Sequence, residues 1–346
     1  HPTAKCVSPG GVGINLPGNL LANYLTDPDE PIRALFVNSG NPVLSIAGEQ
    51  HVRKALESLD LLVCVDIYRS ATAEYADYLL PAAGAFERED VNITGMGLQF
   101  QPSVQYTEAV VPPAFERKPE WWIFEKLNQT LGFPSILNDA SPNVWGRVDA
   151  MLRSQGRNMN ELKAEQIIAL ERSDPAEFKG FLQHDDKLVD CFPAIFSDAT
   201  ERMEKIFIEL ENAPANQLKL IGKRDPYMIN SWYSNVARLK TGRRDRNYLF
   251  MHPADAELRQ IVDGDRVTIV NENGRIVTDV KLTTDLIEGV VAMTHGWGHR
   301  KSPGMRVAHG KPGVNCNTLL PSGPGSYEPL SNQAHMTGIS VEVRRV

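Results

Sequence analysis

The run His295-Gly296-Trp297-Gly298-His299 contains the residue types whose spacing points most directly to chemistry. Two histidines four residues apart could bind a metal ion if they shared one face of a helix. The glycines between them disfavour a helix, because glycine loses more backbone freedom on ordering than any other residue. We therefore expect no metal site here, and instead a glycine-rich turn that presents His295 and Trp297 to a planar ligand.

A second candidate site is the turn at residues 38–42, Asn-Ser-Gly-Asn-Pro. Gly40 lets the backbone approach a ligand closely, and the Asn41 amide can pair with a nucleobase edge or a pyrophosphate. Asp66 ends another apolar run, where a carboxylate can accept hydrogen bonds from ribose hydroxyls. Both features have a plainer interpretation, since the turn can simply end a strand and Asp66 can cap the following helix. On the residues alone, we predict that the chain binds a nucleotide-like ligand.

The remaining reactive side chains form no catalytic pattern. We find no spaced pair of acids for acid–base catalysis and no Ser/His/Asp set, so no residue is assigned a catalytic role. The cysteines lie too far apart for a Cys-x-x-Cys pair that would hold zinc or an iron–sulfur cluster. They are Cys6, Cys64, Cys191 and Cys316. Two disulfides are possible, but we expect reduced and buried thiols, which leaves the cellular compartment open between cytoplasm and periplasm.

Three apolar runs in the first part of the chain predict buried β-strands that would position these turns. They are residues 32–37, 61–66 and 78–81. Helical spacing of apolar residues at 48–59 and a second helical pattern at 71–76 alternate with them. Such alternation predicts an α/β domain with a parallel sheet. Ligands of these sheets bind outside the carboxyl ends of the strands, here residues 38–42 and 66–70.

Residues 119–210 form a mostly helical region without recognisable chemistry, with helices predicted at 121–127 and 159–171. From about residue 219 the pattern changes to short strands separated by turns. We therefore place the domain boundary near residue 215, which divides the chain into residues 1–215 and 216–346.

Short strands with turn signals are typical of a mainly-β barrel domain. The predicted strands are residues 266–270, 276–280, 290–293 and 338–343. Asn273-Gly274 joins the first two as a hairpin turn, because asparagine and glycine can supply the positive φ angles that such turns need.

Composition places the chain among ordinary globular proteins and excludes some functions. It has 346 residues, a formal net charge of −7 and 42% hydrophobic residues. The negative charge argues against nucleic-acid binding, and no apolar stretch approaches the ~20 residues of a membrane span. The local basic run at residues 240–246 is interpreted as a solvated loop. Because the chain opens at His1 without a methionine, we expect a cleaved or excised piece.

Taken in order, the motifs resemble those of the molybdopterin oxidoreductases of the dimethyl sulfoxide reductase family. Gly40-Asn41-Pro42 follows the first strand, as in that family. Residues 65–83 are similar to its pattern D-x-x-x-T-x-T-A-x-x-A-D-x-x-L-P, and the acidic run at 86–89 follows at the expected place. Trp121-Trp122 stands where the family has Asp-Trp before a helix that ends near Leu-Gly.

The last part resembles the dinucleotide-binding barrel of the same family. Asn230-Ser231-Trp232 with Asn235 is similar to its His-Ser-x-Trp-x-Asn turn. Three further runs match its patterns in the right order. They are residues 251–256, 262–267 and 317–320. Departures include residues 92–96, which replace Asn-x-Glu-Gly-Arg, and Leu320, which replaces a threonine; these leave the substrate open.

The resemblance implies an α/β domain followed by a double-psi barrel that together hold molybdopterin guanine dinucleotide with molybdenum or tungsten. Its cofactor-binding residues would be Gly40, Asn41, Pro42, Asp66, Thr72, Ser231, Trp232, His295 and Asn317. The chemistry would be two-electron redox or oxygen-atom transfer. In the family the metal ligand and the iron–sulfur cysteines lie in an N-terminal half, which would be the main partner of this chain. An iron–sulfur electron-transfer subunit is a further candidate partner.

Two hypotheses about the function therefore remain. In the first, the chain is the C-terminal part of an oxidoreductase and is inactive alone. In the second, it is a non-catalytic cofactor-binding or assembly protein that kept the fold but lacks the metal ligand.

Overall fold

The computed structural model describes residues 16–93, 99–135, 137, 144–172, 174–214 and 216–346. Cys6 and residues 94–96 of the departing motif lie outside these ranges. The chain forms two compact units, one of His1–Leu79 with Asp198–Val346 and the other of Leu80–Ser197. The division into residues 1–215 and 216–346 remains a prediction from the sequence.

The first unit begins with a small α/β layer. Its sheet has the order β1-β2-β3, and β1 and β2 are parallel, with Ala34 opposite Leu61 and Asn38 opposite Val65. The elements are α1 (Leu21–Leu25), β1 (Ala34–Asn38), α2 (Pro42–Ser45), α3 (Glu49–Leu56), β2 (Leu61–Asp66) and β3 (Tyr78–Pro81). The predicted parallel pairing is therefore confirmed for β1 and β2.

Hydrophobic burial explains why these elements form. The four central residues of β2 are buried, and Val52 and Leu56 of α3 pack into the same cluster as Leu62 and Cys64. Continuous apolar strands of this kind need cover on both faces of the sheet. The helix predicted at residues 71–76 is wrong in extent, because only a 3-10 turn forms at Ala73–Tyr75.

The second unit combines α-helices with an antiparallel sheet of order β4-β5-β6. Its core includes Val104, Leu152, Leu162 and Ile168. The elements are β4 (Asp90–Val91), β5 (Ser103–Thr107), α4 (Glu120–Leu131), α5 (Gly146–Arg153), α6 (Met159–Glu165) and β6 (Ile167–Ala169). A short helix, α7 (Phe178–Phe181), follows them.

The helix predicted at residues 159–171 is wrong in its second half. It ends at Glu165, because Gln166 takes a left-handed conformation with φ of 65° that a continuing helix does not allow. Ile167–Ala169 then pairs antiparallel with β5, which buries Ile168.

The chain returns to the first unit through α8 (Ser197–Glu211) and forms a closed six-stranded barrel of order β10-β8-β11-β7-β12-β9. Side chains alternate inward along each strand, so Leu249, Met251, Val267, Ile269 and Met293 are each 0% exposed. The strands are β7 (Leu218–Lys223), β8 (Leu249–Met251), β9 (Arg266–Val270), β10 (Arg275–Leu282), β11 (Val290–Thr294) and β12 (Ile339–Arg345). Two short helices, α9 (Pro253–Glu257) and α10 (Arg306–Gly310), lie between strands.

The barrel expectation is confirmed, whereas its double-psi type remains a prediction. The hairpin between β9 and β10 also forms, but neither Asn273 nor Gly274 has a positive φ. Gly274 is needed for a different reason, since a Cβ there would lie 2.6 Å from the carbonyl oxygen of Thr318. No helix of the described ranges is long and apolar enough to cross a membrane.

Candidate functional site

A cavity in the first unit lies between α2 and one end of the barrel, and its volume is about 520 Å³. The α/β layer supplies Asn41, Leu44 and Ser45 to its wall. The polar barrel residues of the wall are Arg224, Asn230, Ser231, His295, His299, Asn317 and Thr337. Its apolar barrel residues are Leu220, Ile221, Met293, Cys316, Leu320 and Met336, and Gly222 and Gly296 complete it. A polar rim beside apolar floor residues suits a ligand with both phosphate and ring parts.

Asn41 is held in place by Thr72. Its side-chain oxygen accepts hydrogen bonds from the backbone N–H of Thr72 at 3.1 Å and from the Thr72 hydroxyl at 2.9 Å. The Thr72 oxygen in turn accepts from the N–H of Val43 at 3.2 Å. Thr72 is fully buried and does not line the cavity, so its role is to orient Asn41. The amide nitrogen of Asn41, without a hydrogen bond in the described ranges, remains available to a ligand.

Replacing Thr72 by valine is expected to lower the free energy of unfolding by about 1–2 kcal/mol, because a buried N–H and the Asn41 oxygen lose a partner. The matched change Thr130→Val removes an exposed hydroxyl that bonds the carbonyl of Lys126, and we expect it to cost less than about 0.5 kcal/mol. Urea unfolding of both variants measures the difference. Equal stability of the two variants would show that the Thr72–Asn41 contact does not organise the turn.

Two asparagines fix the barrel wall against the α/β layer. The Asn317 side chain is buried and donates to the carbonyl of Leu44 at 2.9 Å. Asn315 donates to the carboxylate of Glu49 at 2.9 Å. Since Leu44 and Glu49 belong to α2 and α3, these bonds hold the two sides of the cavity in register.

His295 reaches the cavity from the turn after β11. Its Nε2 lies 2.9 Å from the side-chain oxygen of Asn230, and Arg224 donates to that same oxygen. An amide oxygen only accepts, so His295 carries its proton on Nε2. Burial and the charge of Arg224 both lower the pKa of His295, which keeps the ring neutral at pH 7.

Gly296 lets the two loops interlock. Its φ is 84°, and a Cβ there would lie 2.7 Å from the carbonyl carbon of Asn230 and closer still to its oxygen. Asn230 itself has a φ of 59°, a conformation that asparagine tolerates better than most residues. The cavity wall at this point is therefore built from backbone in close contact.

His299 is the second histidine of the turn, and it also lines the cavity. It is 2% exposed, and its Nε2 donates to the carbonyl of Gly296 at 3.2 Å. Nδ1 is buried and has no partner among the described residues. Burial lowers the pKa of His299, and the nearby Lys240 adds to the effect against the opposing Gly296 bond. Both histidines of the turn are thus neutral.

Trp297 does not face the cavity, which corrects the expectation that the turn presents it to a planar ligand. It is 2% exposed and lies under the ammonium group of Lys240, 4.5 Å from the ring centre. Lys240 is 1% exposed and also contacts the sulfur of Met228. The interpretation of the basic run as a solvated loop is therefore wrong for Lys240, whose stem and charge pack inside.

Burial lowers the pKa of Lys240 from 10.5 to about 8, against the attraction of Asp225. Charged Lys240 therefore destabilises the folded protein. This loss of stability is complete below pH 8 and decreases as the pH rises to 10.5. We expect Lys240→Met to raise the free energy of unfolding by about 1–3 kcal/mol at pH 7, with the gain fading by pH 10. Lys281→Met, at an exposed lysine over Phe250, should change it by less than about 0.5 kcal/mol. A gain that persists unchanged at pH 10 would contradict this account.

Of the predicted cofactor residues, the structure brings Asn41, Ser231, His295 and Asn317 together in the cavity wall. The others are not part of this wall. They are Gly40, Pro42, Asp66, Thr72 and Trp232. Trp232 is 77% exposed. Burial raises the pKa of Asp66, whose carboxylate accepts from the N–H of Tyr68 at 3.1 Å.

Sequence reasoning missed Arg224, Asn230 as a cavity residue and His299. The signal for Arg224 was its place directly after an alternating strand, Leu218–Lys223, which we did not predict. The described residues contain no group of three or more His, Cys, Asp or Glu arranged to hold a metal ion. Of the thiols described, Cys64 is buried as expected, whereas Cys191 is exposed.

Two family models match this chain. Residues 11–130 match the molybdopterin oxidoreductase model, and residues 218–334 match the molydopterin dinucleotide binding domain. The second match covers five of the six barrel strands and most of the cavity wall.

Similar proteins include the thiosulfate reductase molybdopterin-containing subunit of Salmonella typhimurium, 23% identical over 92% of this chain. The trimethylamine-N-oxide reductase of Haemophilus influenzae is 26% identical over 79% of the chain. The matches cover 44% and 36% of those proteins, so the chain spans less than half their length.

Among solved structures, acetylene hydratase from Pelobacter acetylenicus superposes with a TM-score of 0.72 over 95% of this chain and 46% of its own. At 19% identity this likeness establishes a shared fold. The chain therefore contains a region similar to the molybdopterin oxidoreductases at residues 11–130, followed by a region similar to the molydopterin dinucleotide binding domain at residues 218–334.

Proposed function

We propose that this chain is the C-terminal, cofactor-holding part of a molybdenum or tungsten oxidoreductase that uses bis-molybdopterin guanine dinucleotide. The observation that carries the proposal is the donor-rich cavity between α2 and the barrel, which lies largely within the matched dinucleotide-binding domain. The metal, when bound with its pterins, supplies two-electron redox or oxygen-atom transfer chemistry. The residues of this chain bind and orient the cofactor.

The donor set of the cavity fits a pterin dinucleotide. Its polar wall offers the guanidinium of Arg224, the amide nitrogen of Asn41 and the hydroxyls of Ser45 and Ser231. These groups donate hydrogen bonds, and the guanidinium carries the positive charge that phosphate oxygens favour. The apolar side chains of Leu220, Met293 and Leu320 offer contact area for a ring system.

Each polar residue has a distinct role in this proposal. Arg224 pairs with phosphate oxygens, while its bond to Asn230 fixes the direction of the guanidinium. Asn41, oriented by Thr72, donates from its amide nitrogen. His295 stays neutral and adds no charge beside Arg224. The interlocked Gly296 turn keeps these groups in place before the ligand arrives, which lowers the entropy lost on binding.

Binding of guanosine diphosphate, which represents the nucleotide end of the cofactor, tests the proposal on the 346-residue chain. Calorimetry should detect a saturable site that involves the cavity. Asn41→Ala should weaken binding about 3–10-fold, which corresponds to the loss of one hydrogen bond. Asn38→Ala, in the same turn but outside the cavity wall, should leave the affinity unchanged. No saturable binding by the unaltered chain, or equal losses in both variants, would contradict the proposal.

A further inference from the structure

A second, smaller depression on the outside of the barrel carries an excess of positive charge. Its volume is about 240 Å³, and it shares no wall residue with the main cavity. Its floor is formed by the start of β9, the middle of β10 and the loop of residues 310–314. Four cations and two carboxylates line it. The protein as a whole has a net charge of −7, so this local balance is opposite in sign.

Both carboxylates of the depression form ion pairs with the same arginine. Arg246 lies 3.3 Å from the carboxylate of Asp245 and 3.1 Å from that of Asp279. Asp279 stands opposite Arg266 across the β9–β10 pair, but its carboxylate is bonded to Arg246. The two acids outweigh Arg246 by one negative charge, so the four cations and two carboxylates together give the depression a net charge of +2.

Arg266 and Arg300 are exposed, and neither has an ion pair or a side-chain hydrogen bond within the part of the chain that the structure describes. Lys311 donates to the backbone carbonyl of Lys240, a neutral partner that leaves its charge uncompensated. Like charges that share one depression repel each other, and this arrangement gains stability when an anion binds between them.

We propose that this depression is a second anion site, which binds a phosphoryl group. Guanidinium groups pair with phosphate oxygens through two parallel N–H bonds, and a lysine adds a point charge. A phosphate dianion matches the net charge of +2 in the depression, where Arg266, Arg300 and Lys311 are not paired with a carboxylate. The volume leaves room for part of the molecule that carries the phosphoryl group. The site is independent of the proposed cofactor cavity.

The experiment uses the 346-residue chain with the substitution Arg224→Gln, because the main cavity of this variant should no longer bind phosphate tightly. The salt concentration is about 0.15 M, which screens weak attraction between the ligand and the protein surface. Inorganic phosphate and adenosine monophosphate are titrated by calorimetry. One site is expected for each ligand. Equal affinities indicate that the phosphoryl group alone is recognised, and tighter binding of the nucleotide indicates that the site takes a phosphate carried on a larger molecule.

Adding both Arg266→Gln and Arg300→Gln to the Arg224→Gln chain should weaken phosphate binding at least 10-fold. Lysines at positions 266 and 300 should restore part of the affinity. Arg344→Gln, which removes an exposed arginine paired with Glu342 outside the depression, is the control and should bind normally. The inference is overturned if Arg224→Gln alone abolishes all binding, or if the control loses as much affinity as the double change. These outcomes test the second anion site even if the cofactor proposal is wrong, because the site shares no residue with the main cavity.

Discussion

Replacing Gly296 by alanine is expected to lower the free energy of unfolding by about 2–5 kcal/mol and to abolish nucleotide binding in the cavity. The φ of 84° alone costs an L-residue about 1–2 kcal/mol. The added methyl group must also displace the backbone of Asn230, where a Cβ would lie 2.7 Å from the carbonyl carbon. Forcing such an overlap into packed backbone costs about 1–3 kcal/mol more. Urea unfolding and calorimetric binding measure the two effects.

Gly289 provides a matched control for backbone strain without a clash. Its φ is 79°, and a Cβ there would have no atom within 4 Å. Gly289→Ala should therefore cost only about 1–2 kcal/mol and leave binding intact. If both alanine variants lose the same stability, the contact between the Gly296 turn and Asn230 does not hold the cavity wall together.

Arg224→Gln is expected to weaken nucleotide binding about 10–100-fold, because a charge-assisted bond to phosphate contributes about 1.5–3 kcal/mol. The same change should raise the pKa of His295, since the charge of Arg224 is one of the two causes that lower it. Calorimetry measures the affinity, and NMR titration of the imidazole measures the pKa.

Arg238→Gln removes an exposed arginine outside the cavity wall and should change neither quantity. A pKa of His295 that rises while the affinity stays constant would place Arg224 in the loop structure but away from the ligand. Loss of affinity in both variants would indicate general charge attraction in place of a defined site.

The sequence predicts those parts of the fold in which local pattern and burial agree. The apolar run Leu61–Asp66 is a strand with the predicted bounds, because a central parallel strand needs apolar side chains on both faces. Arg266–Val270 likewise has its predicted bounds, since its alternation matches one buried face of a barrel. Asn41 lies in the cavity wall, in the turn between the end of β1 and the start of α2.

Tertiary contacts decide the features that the sequence does not predict. Trp297 is buried because Lys240, 57 positions earlier in the chain, covers its ring, a contact without a local signal. Gly274 is required by the approach of Thr318, and the positive φ expected from the hairpin pattern is absent. Arg224 becomes a cavity residue only when β7 joins the barrel between β11 and β12.

The most direct test of the central claim is a combined metal and guanosine-phosphate analysis of the protein purified from its native source. A bis-dinucleotide oxidoreductase predicts molybdenum or tungsten together with about two guanosine phosphates for each metal ion. Protein that contains neither metal nor nucleotide would contradict the claim and favour the non-catalytic alternative.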